Sequence, residues 1–210
     1  MATVRKGLVQ RFDRWRARQS PSNAYFIQLV LDEVVPLFEA AGYRRHEDYA
    51  GNNPQSVGAN TIALQRRSGA LWPTVEIQFH ANNPHFLGVY FSLLPELCYR
   101  QGVTPIPRQD ANVVEGPFTF MLCKGGRKNY DCNFGYQWFS LTPRRRLRQE
   151  TRELALRVPW LLQTLDAGIP NDWLAQPRPA QVGKYARILF NWADGKHAQP
   201  AKSGSISERR

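Results

Sequence analysis

The chain of 210 residues contains few cysteines and no long apolar run, and both shortages exclude classes of protein. Cys98, Cys123 and Cys132 form no CxxC pair, which argues against a disulfide framework and against a zinc knuckle. No apolar stretch approaches the ~20 residues that cross a bilayer. The basic N-terminus also lacks the apolar core of a secretory signal. These absences predict a protein of a reducing cytosol that has no membrane span.

Acidic residues are scarce as well. Asp and Glu number 17 against 28 Lys and Arg, which gives a formal net charge of +11 at pH 7. Such an excess favours an anionic partner: nucleic acid, an acidic protein or a membrane surface. Part of the excess lies near the chain ends, in residues 1–18 and 196–210. We expect nucleic acid as the first partner and an acidic protein as the second, while the oligomeric state does not follow from the sequence.

Hydrophobic periodicity divides the chain into a leader, one domain and a tail. Residues 1–19 are predicted to form a basic amphipathic helix, because apolar residues recur there at helical spacing. The residues that would dock this helix on the domain are Val4, Leu8, Phe12 and Trp15. Residues 20–195 are expected to form a single domain. Residues 196–210, on a background of Gly, Ser, Pro and Ala, are expected to be a disordered tail.

Inside the domain the apolar period changes from helical to alternating. A helix is predicted over residues 23–41, ahead of the alternating stretches TIALQR, TVEIQFH and FLGVYFSL. Strands in GPFTFML and NFGYQWFSL are expected to pair through a hairpin turn at Gly125-Gly126. The Pro-rich chain between Tyr99 and Gly116 is expected to lack regular structure. This order predicts an α+β domain, an antiparallel sheet of about five strands with helices packed on one face.

The last part of the domain is predicted to be helical. A long helix is expected to begin at Pro143, with Thr142 as its N-cap, and to break or kink at Pro159. Another short helix is expected over residues 184–195. The apolar face of the long helix is predicted to comprise Leu147, Leu154, Val158, Leu161 and Leu165.

Arginines crowd the start of the long helix. Arg145, Arg148 and Arg152 form a stripe opposite the apolar face with no acidic residue on it. Cations at a helix start oppose the helix dipole, so local helix stability does not explain them, whereas a bound anion would. We therefore predict an anion- or nucleic-acid-binding surface of Arg144, Arg145, Arg148 and Arg152, extended by Lys128. The alternative is an ordinary solvated helix face.

Most catalytic motifs are absent. The sequence contains no GxGxxG, GxxxxGK[ST], HExxH or GxSxG pattern. One pattern survives, since Glu76-Ile77-Gln78 with Asp48 upstream resembles the Asp…Glu-x-Lys metal site of restriction-endonuclease-like nucleases. That resemblance implies two carboxylates holding Mg²⁺. Gln78 stands where such nucleases have lysine, and Asp48 is expected in a loop. A Mg²⁺-dependent nuclease that uses Asp48, Glu76 and Gln78 is thus the enzyme alternative. No cofactor is expected otherwise.

The order of elements carries a second resemblance. A helix ending in AGYRR, then the strands IALQRR, VEIQF and LGVYFSL, then a helix that ends near a Trp, resembles small uncharacterised bacterial α+β domains. Such domains occur among toxin-immunity and phage-defence genes and are regarded as binding modules. The resemblance spans about residues 22–175, rests on pattern rather than on a motif, and carries no site residues across. Together with the charge, it predicts a non-catalytic basic binding protein.

Overall fold

A computed structural model describes nine segments of the chain, residues 8–46, 58–80, 85–100, 104–108, 111–113, 120–122, 133–135, 143–167 and 174–175. Four helices and nine strands lie in these segments. The strands of the main sheet are antiparallel wherever they pair. The predicted α+β class is therefore confirmed. The helix predicted over residues 184–195 and the tail predicted from residue 196 lie outside the described residues.

Three of the four helices belong to the first forty residues. They are α1 (Leu8–Arg16), α2 (Pro21–Glu33) and α3 (Val35–Ala40). The Ser20 hydroxyl caps α2 by accepting the Asn23 N–H, and Pro21 takes the first helical position. The predicted single helix over residues 23–41 is interrupted at Val34. Pro36 accounts for this interruption, because proline has no N–H to donate and its ring crowds the preceding turn.

Helix α1 covers only part of the predicted leader helix. It spans Leu8–Arg16, residues 17–19 form a turn, and residues 1–7 lie outside the described part of the chain. Leu8 and Phe12 are buried. Trp15 packs against the main core. The apolar side of α1 is thus in contact with the domain. Arg14 is exposed, whereas Arg16 is half-buried and donates to the Gln28 side chain of α2.

The fourth helix, α4, runs without a break from Pro143 to Ala167 and contains Pro159. Of the predicted break or kink at Pro159, the break is therefore absent. Buried residues lie on both sides of the proline, among them Leu154, Val158 and Leu161, while Pro159 itself is exposed. Packing of this apolar stripe allows the helix to continue through Pro159, since tertiary burial overrides local propensity.

The main sheet has seven strands in the described residues, more than the five expected. Its order is β1-β2-β3-β4-β7-β9, and β8 also pairs with β4. The strands are β1 (Arg44–Arg45), β2 (Thr61–Gln65), β3 (Leu71–Phe79), β4 (Phe86–Pro95), β7 (Phe120–Leu122), β8 (Asn133–Gly135) and β9 (Leu174–Ala175). The predicted strands in TIALQR, TVEIQFH and FLGVYFSL are confirmed as β2, β3 and β4. Strands β1 and β9 have two residues each, too few to show a period.

Two predictions about the later strands are wrong. Strands β7 and β8 both pair with β4, at Tyr90–Phe91 and at Phe86–Gly88 respectively, and their described residues do not pair with each other. The turn residues Gly125-Gly126 lie outside the described residues. The Pro-rich segment contains β5 (Leu97–Arg100) and β6 (Thr104–Pro107), which form a two-stranded ribbon. Pro105 and Pro107 alternate along β6, so both missing N–H groups fall on its outer edge, where proline is tolerated.

One face of the main sheet carries the core. Residues of β2, β3, β4, β7 and β8 alternate onto that face and pack against α2, α3 and α4. The buried sheet residues are Ile62, Leu64, Val75, Ile77, Phe79, Leu87, Val89, Phe91, Leu93, Phe120, Leu122 and Phe134. Leu8 of α1, in contrast, packs with Ala63, which lies beside Glu76 on the opposite face. The opposite face bears Glu76 and Gln78.

A buried phenol lies where α3 meets the sheet. Tyr43 packs its ring edge-on against Phe38 at 5.7 Å, and the Arg66 guanidinium lies 5.0 Å from the ring centroid. The Tyr43 hydroxyl has no hydrogen-bond partner within the described segments. Burial raises the pKa of Tyr43, Arg66 opposes this rise, and Asp166 adds to it.

This geometry predicts a loss of stability at high pH. The unfolded phenol ionises near its ordinary pKa of ~10, whereas the folded phenol keeps its proton. The free energy of unfolding should therefore fall as pH rises above ~10. Tyr43→Phe should reduce this fall and, by removing an unpaired buried hydroxyl, should stabilise the protein by about 0–1 kcal/mol at neutral pH. Urea unfolding of both proteins at pH 8 and pH 11 measures this, and equal losses would contradict it.

Candidate functional site

The structure places the four predicted helix arginines together. Arg144, Arg145, Arg148 and Arg152 lie in the first three turns of α4, and all four are exposed. The predicted N-cap Thr142 and the predicted contributor Lys128 lie outside the described residues. The opposite side of α4 is buried, with Leu147 and Leu154 in the core. Arg145 and Arg152 thus lie on the side of α4 away from the core, as the helical period predicts.

Tyr25 of α2 contacts two of these arginines. The Arg148 Nε donates to the Tyr25 hydroxyl at 2.5 Å. The guanidinium carbons of Arg144 and Arg148 lie 5.4 and 5.9 Å from the Tyr25 ring centroid. Such cation–π contacts restrict long side chains without neutralising them. Sequence reasoning missed Tyr25, because its contact with Arg148 depends on how α2 and α4 pack and leaves no signal in local spacing.

The acidic side chains of α4 contact other groups. Glu150 accepts the Gly135 N–H at 3.1 Å. Glu153 pairs with Arg157 at 2.6 Å, and Asp166 pairs with Arg66. Within the described segments, no acidic side chain forms an ion pair with Arg144, Arg145, Arg148 or Arg152. These four arginines therefore form a positive surface that is not neutralised from within the described fold.

The solvent side of α4 changes character along its length. Beyond Arg152 come two exposed apolar side chains, Leu156 at 70% and Trp160 at 48% exposure. At 100° per residue, Arg145, Arg152, Leu156 and Trp160 fall within about 80° of one another. We call these four residues the outer face of α4. Sequence reasoning missed its apolar half, although the i, i+4 spacing of Leu156 and Trp160 off the buried stripe was visible.

The second candidate is the strand face with Glu76, which is buried, and Gln78, which is half-buried. Strand β3 places Glu76 between Ala63 and Tyr90 in the sheet register. One Glu76 carboxylate oxygen accepts the Val113 N–H at 2.9 Å, and the other accepts from the Gln78 amide at 2.8 Å. Burial raises the pKa of Tyr90, and the nearby Glu76 charge raises it further. Glu76 thus links the sheet to the segment around residue 113.

More polar side chains line this face next to Glu76. Gln65, Thr74 and Ser92 lie in one row of adjacent strands and are all buried. The Gln65 oxygen accepts from the Arg108 guanidinium at 2.6 Å, and that guanidinium lies 3.7 Å from the centre of the Trp72 ring. The row is therefore an internal polar layer that joins the sheet to the segment after β6. Its contacts indicate a structural role.

The nuclease residues are brought together only in part. Glu76 and Gln78 contact each other, while Asp48 lies outside the described residues. Both Glu76 oxygens accept N–H groups, which a bound Mg²⁺ would have to displace. In the described segments, no three His, Cys, Asp or Glu side chains are grouped as metal ligands. The described geometry thus gives Glu76 hydrogen-bonding partners, and the metal site stays a prediction.

No protein-family model, curated protein or solved structure matches this chain. Among the described helices, none has both the length and the apolar character required to cross a bilayer. The geometry of two faces therefore carries the functional information in the described residues. Of these, the outer face of α4 is exposed and the Glu76 face is buried.

Proposed function

We propose that this protein is a non-catalytic binding module that contacts the phosphate backbone of nucleic acid through α4. The observation that carries the proposal is the group of exposed arginines at the start of α4, which no acidic side chain of the described fold neutralises. Arginine guanidinium groups bind phosphate oxygens through paired, charge-assisted hydrogen bonds. The net charge of +11 supports the same class of partner.

The spacing along α4 suits a run of phosphates. Arg145 and Arg152 are seven residues apart, about 10 Å along the helix axis at ~1.5 Å per residue. This length matches about two or three successive phosphates of one strand. Tyr25 holds Arg144 and Arg148 beside Arg145 and Arg152. These two side chains are thus partly ordered in the free protein, which lowers the entropy lost on binding.

A double substitution tests the proposal. Arg145→Gln with Arg152→Gln removes two phosphate contacts and leaves Arg148, which contacts Tyr25, in place. The slope of log affinity against log salt should then become shallower by about 1.4–1.8, because each lost contact accounts for ~0.7–0.9. Fluorescence anisotropy with a labelled oligonucleotide between 50 and 200 mM salt measures the slope. The fold should be unaffected, since both side chains are exposed.

A matched control separates a local site from general charge. Arg44→Gln with Arg67→Gln makes the same change in net charge at two exposed arginines outside the helices. Its salt slope should stay within about 0.5 of the wild-type slope. Salt screens the attraction between the nucleic acid and arginines that do not contact its phosphates, so their loss has little effect. Equal changes in both double variants would show that only net charge matters. An unchanged slope in the α4 variant would leave that surface an ordinary solvated face.

An acidic protein is the second partner class, and it is open to the same arginines. Binding to acidic polypeptides but not to oligonucleotides would replace nucleic acid with this class. A defence or immunity setting, which the order of elements suggests, belongs to the same proposal. A pull-down from the native host identifies the partner, and recovery of nucleic acid that nuclease treatment removes would support the proposal.

A further inference from the structure

Two arginines of α4 and one tyrosine of α2 are in contact on the surface of the protein. We infer that this group, Tyr25, Arg144 and Arg148, binds a terminal phosphate of a nucleic-acid strand, which is a phosphate monoester. We call the three residues the Tyr25 cluster. The inference rests on the proposed function and deepens it, because it adds the end of the strand to the backbone phosphates proposed for Arg145 and Arg152.

The Tyr25 cluster consists of hydrogen-bond donors. A phenol oxygen can accept one hydrogen bond and donate another. The Tyr25 oxygen accepts from the Arg148 Nε at 2.5 Å, and its own hydrogen has no acceptor among the described residues. The guanidinium N–H groups of Arg144 and the two terminal nitrogens of Arg148 have no acceptor there either. The group that fits this cluster is therefore one that carries several acceptor oxygens.

The charge of the cluster matches a monoester better than a diester. The guanidinium carbons of Arg144 and Arg148 lie 5.4 and 5.9 Å from one ring centroid. The two residues are four apart on α4, where like charges repel each other. Within the described segments neither pairs with an acidic side chain. A diester has one negative charge and two free oxygens, whereas a monoester carries about 1.5–2 negative charges at pH 7 and three acceptor oxygens.

The helices α2 and α4 begin at the same end of the fold. Tyr25 in the second turn of α2 contacts Arg148 in the second turn of α4. At the other end, Arg66 donates to the Ala41 carbonyl just after α3 and pairs with Asp166 near the end of α4. Helix α4 therefore runs in the same direction as α2 and α3. The positive ends of two helix dipoles add to the potential around the cluster, while side chains form the site itself.

A strand held by its terminal phosphate can continue onto the other arginines. Arg148 lies three residues after Arg145 and four residues before Arg152, so these side chains are neighbours on the helix surface. A terminal phosphate on the Tyr25 cluster leaves the following phosphates of the strand to Arg145 and Arg152. A strand with hydroxyl ends offers diesters alone, so it cannot supply the third acceptor oxygen.

Three 12-nucleotide single strands that differ only at their ends test the inference. One has hydroxyl ends, one has a phosphate at its 5′ or its 3′ end, and in the third that phosphate is methylated and thus a diester. Each carries its fluorophore on an internal base, so that both ends stay free. The protein should bind the phosphorylated strand about 10- to 100-fold more tightly than the hydroxyl strand, the effect of added charge-assisted hydrogen bonds. Methylation should remove most of this gain.

Two conservative variants locate the effect. Tyr25→Phe keeps the ring but removes the hydroxyl, and Arg148→Lys keeps the charge but removes the planar set of donors. Each should reduce the preference for the phosphorylated strand about 5- to 10-fold, because a hydrogen bond to a charged group is lost. The hydroxyl strand should lose less affinity, which a purely structural role would not produce. Tyr43→Phe, which removes the hydroxyl of a buried tyrosine outside the cluster, should leave the preference unchanged.

The outcomes separate this inference from the proposed function. If Arg145→Gln with Arg152→Gln flattens the salt slope but the phosphorylated and hydroxyl strands bind equally, the inference is wrong and backbone binding stands. A preference that both Tyr25→Phe and Arg148→Lys leave intact would also overturn it. If the double variant has no effect and the strands bind equally, both fail. A preference that persists without any effect of the double variant would retain the cluster and remove the backbone contacts.

A phosphorylated protein is the competing source of a phosphate monoester. A phosphoserine peptide that displaces the labelled phosphorylated strand at a lower concentration than the same unlabelled strand would replace nucleic acid with a phosphoprotein. Weaker displacement by the peptide supports the end of a nucleic-acid strand. Thermal unfolding of each variant checks that the fold is retained.

Discussion

Replacing Phe79 with alanine should lower the free energy of unfolding by about 3–5 kcal/mol, the range for a large aromatic residue removed from a core. Phe79 is buried at the end of β3. Its ring lies 6.2 Å from that of Phe12, 5.8 Å from that of Trp15 and 5.9 Å from that of Phe26. One side chain therefore joins α1 and α2 to the sheet, and such aromatic pairs contribute beyond simple area burial.

The loss should be accompanied by a local effect on α1. That helix is short, and isolated helices shorter than ~12 residues are marginal in water. With Phe79 truncated, amide hydrogen exchange in α1 should accelerate more than exchange in α4, because Phe12 and Trp15 of α1 lie against that ring. Urea unfolding followed by circular dichroism measures the global change, and Leu37→Ala serves as an exposed control with a loss below about 0.5 kcal/mol. A loss below about 1 kcal/mol for Phe79→Ala would contradict the proposed role of this ring.

The three long strands could be predicted because one face of each is apolar. Val75, Ile77 and Phe79 alternate with Glu76 and Gln78, and this period of two identifies β3. The same period does not reveal whether the polar side faces water or a second layer of chain. Glu76 is buried, and its carboxylate contacts the Val113 N–H. This contact joins segments that are distant in sequence, so local spacing does not reveal it. A surface strand and a buried polar layer thus have the same sequence pattern.

Other features were beyond local reasoning for different reasons. Propensity correctly disfavours proline in a sheet, but Pro105 and Pro107 occupy the free edge of a two-stranded ribbon, where no hydrogen bond is lost. The positions of Arg145 and Arg152 opposite the core follow from the helical period. The contacts of Arg144 and Arg148 with Tyr25 do not, because they depend on how α2 and α4 pack. The exposed arginine surface could thus be predicted from the sequence, whereas the Tyr25 contacts that restrict Arg144 and Arg148 could not.

Glu76→Ala should destabilise the protein by about 2–4 kcal/mol. The buried Val113 N–H and the Gln78 amide would each lose a charged acceptor, at ~1–3 kcal/mol for each donor left unpaired. Some of this is offset, because a charge no longer has to be buried. Urea unfolding at pH 7 measures the loss. Glu39→Ala, an exposed carboxylate on α3, should change stability by less than about 0.5 kcal/mol.

Glu76→Gln separates a structural carboxylate from a catalytic one. The glutamine keeps an oxygen for the Val113 N–H, and Gln78 can turn its amide to present its own oxygen, so the loss should be about 1 kcal/mol or less. Removal of the charge should also lower the Tyr90 pKa, which Glu76 helps to raise. A metal site tolerates this change poorly, since a neutral amide binds Mg²⁺ weakly. If the protein cleaves plasmid or RNA with Mg²⁺, and Glu76→Gln abolishes cleavage while the fold is kept, the nuclease alternative replaces the binding module. Near-native stability without any cleavage in either protein would leave Glu76 a hydrogen-bonding link between β3 and the segment that covers it.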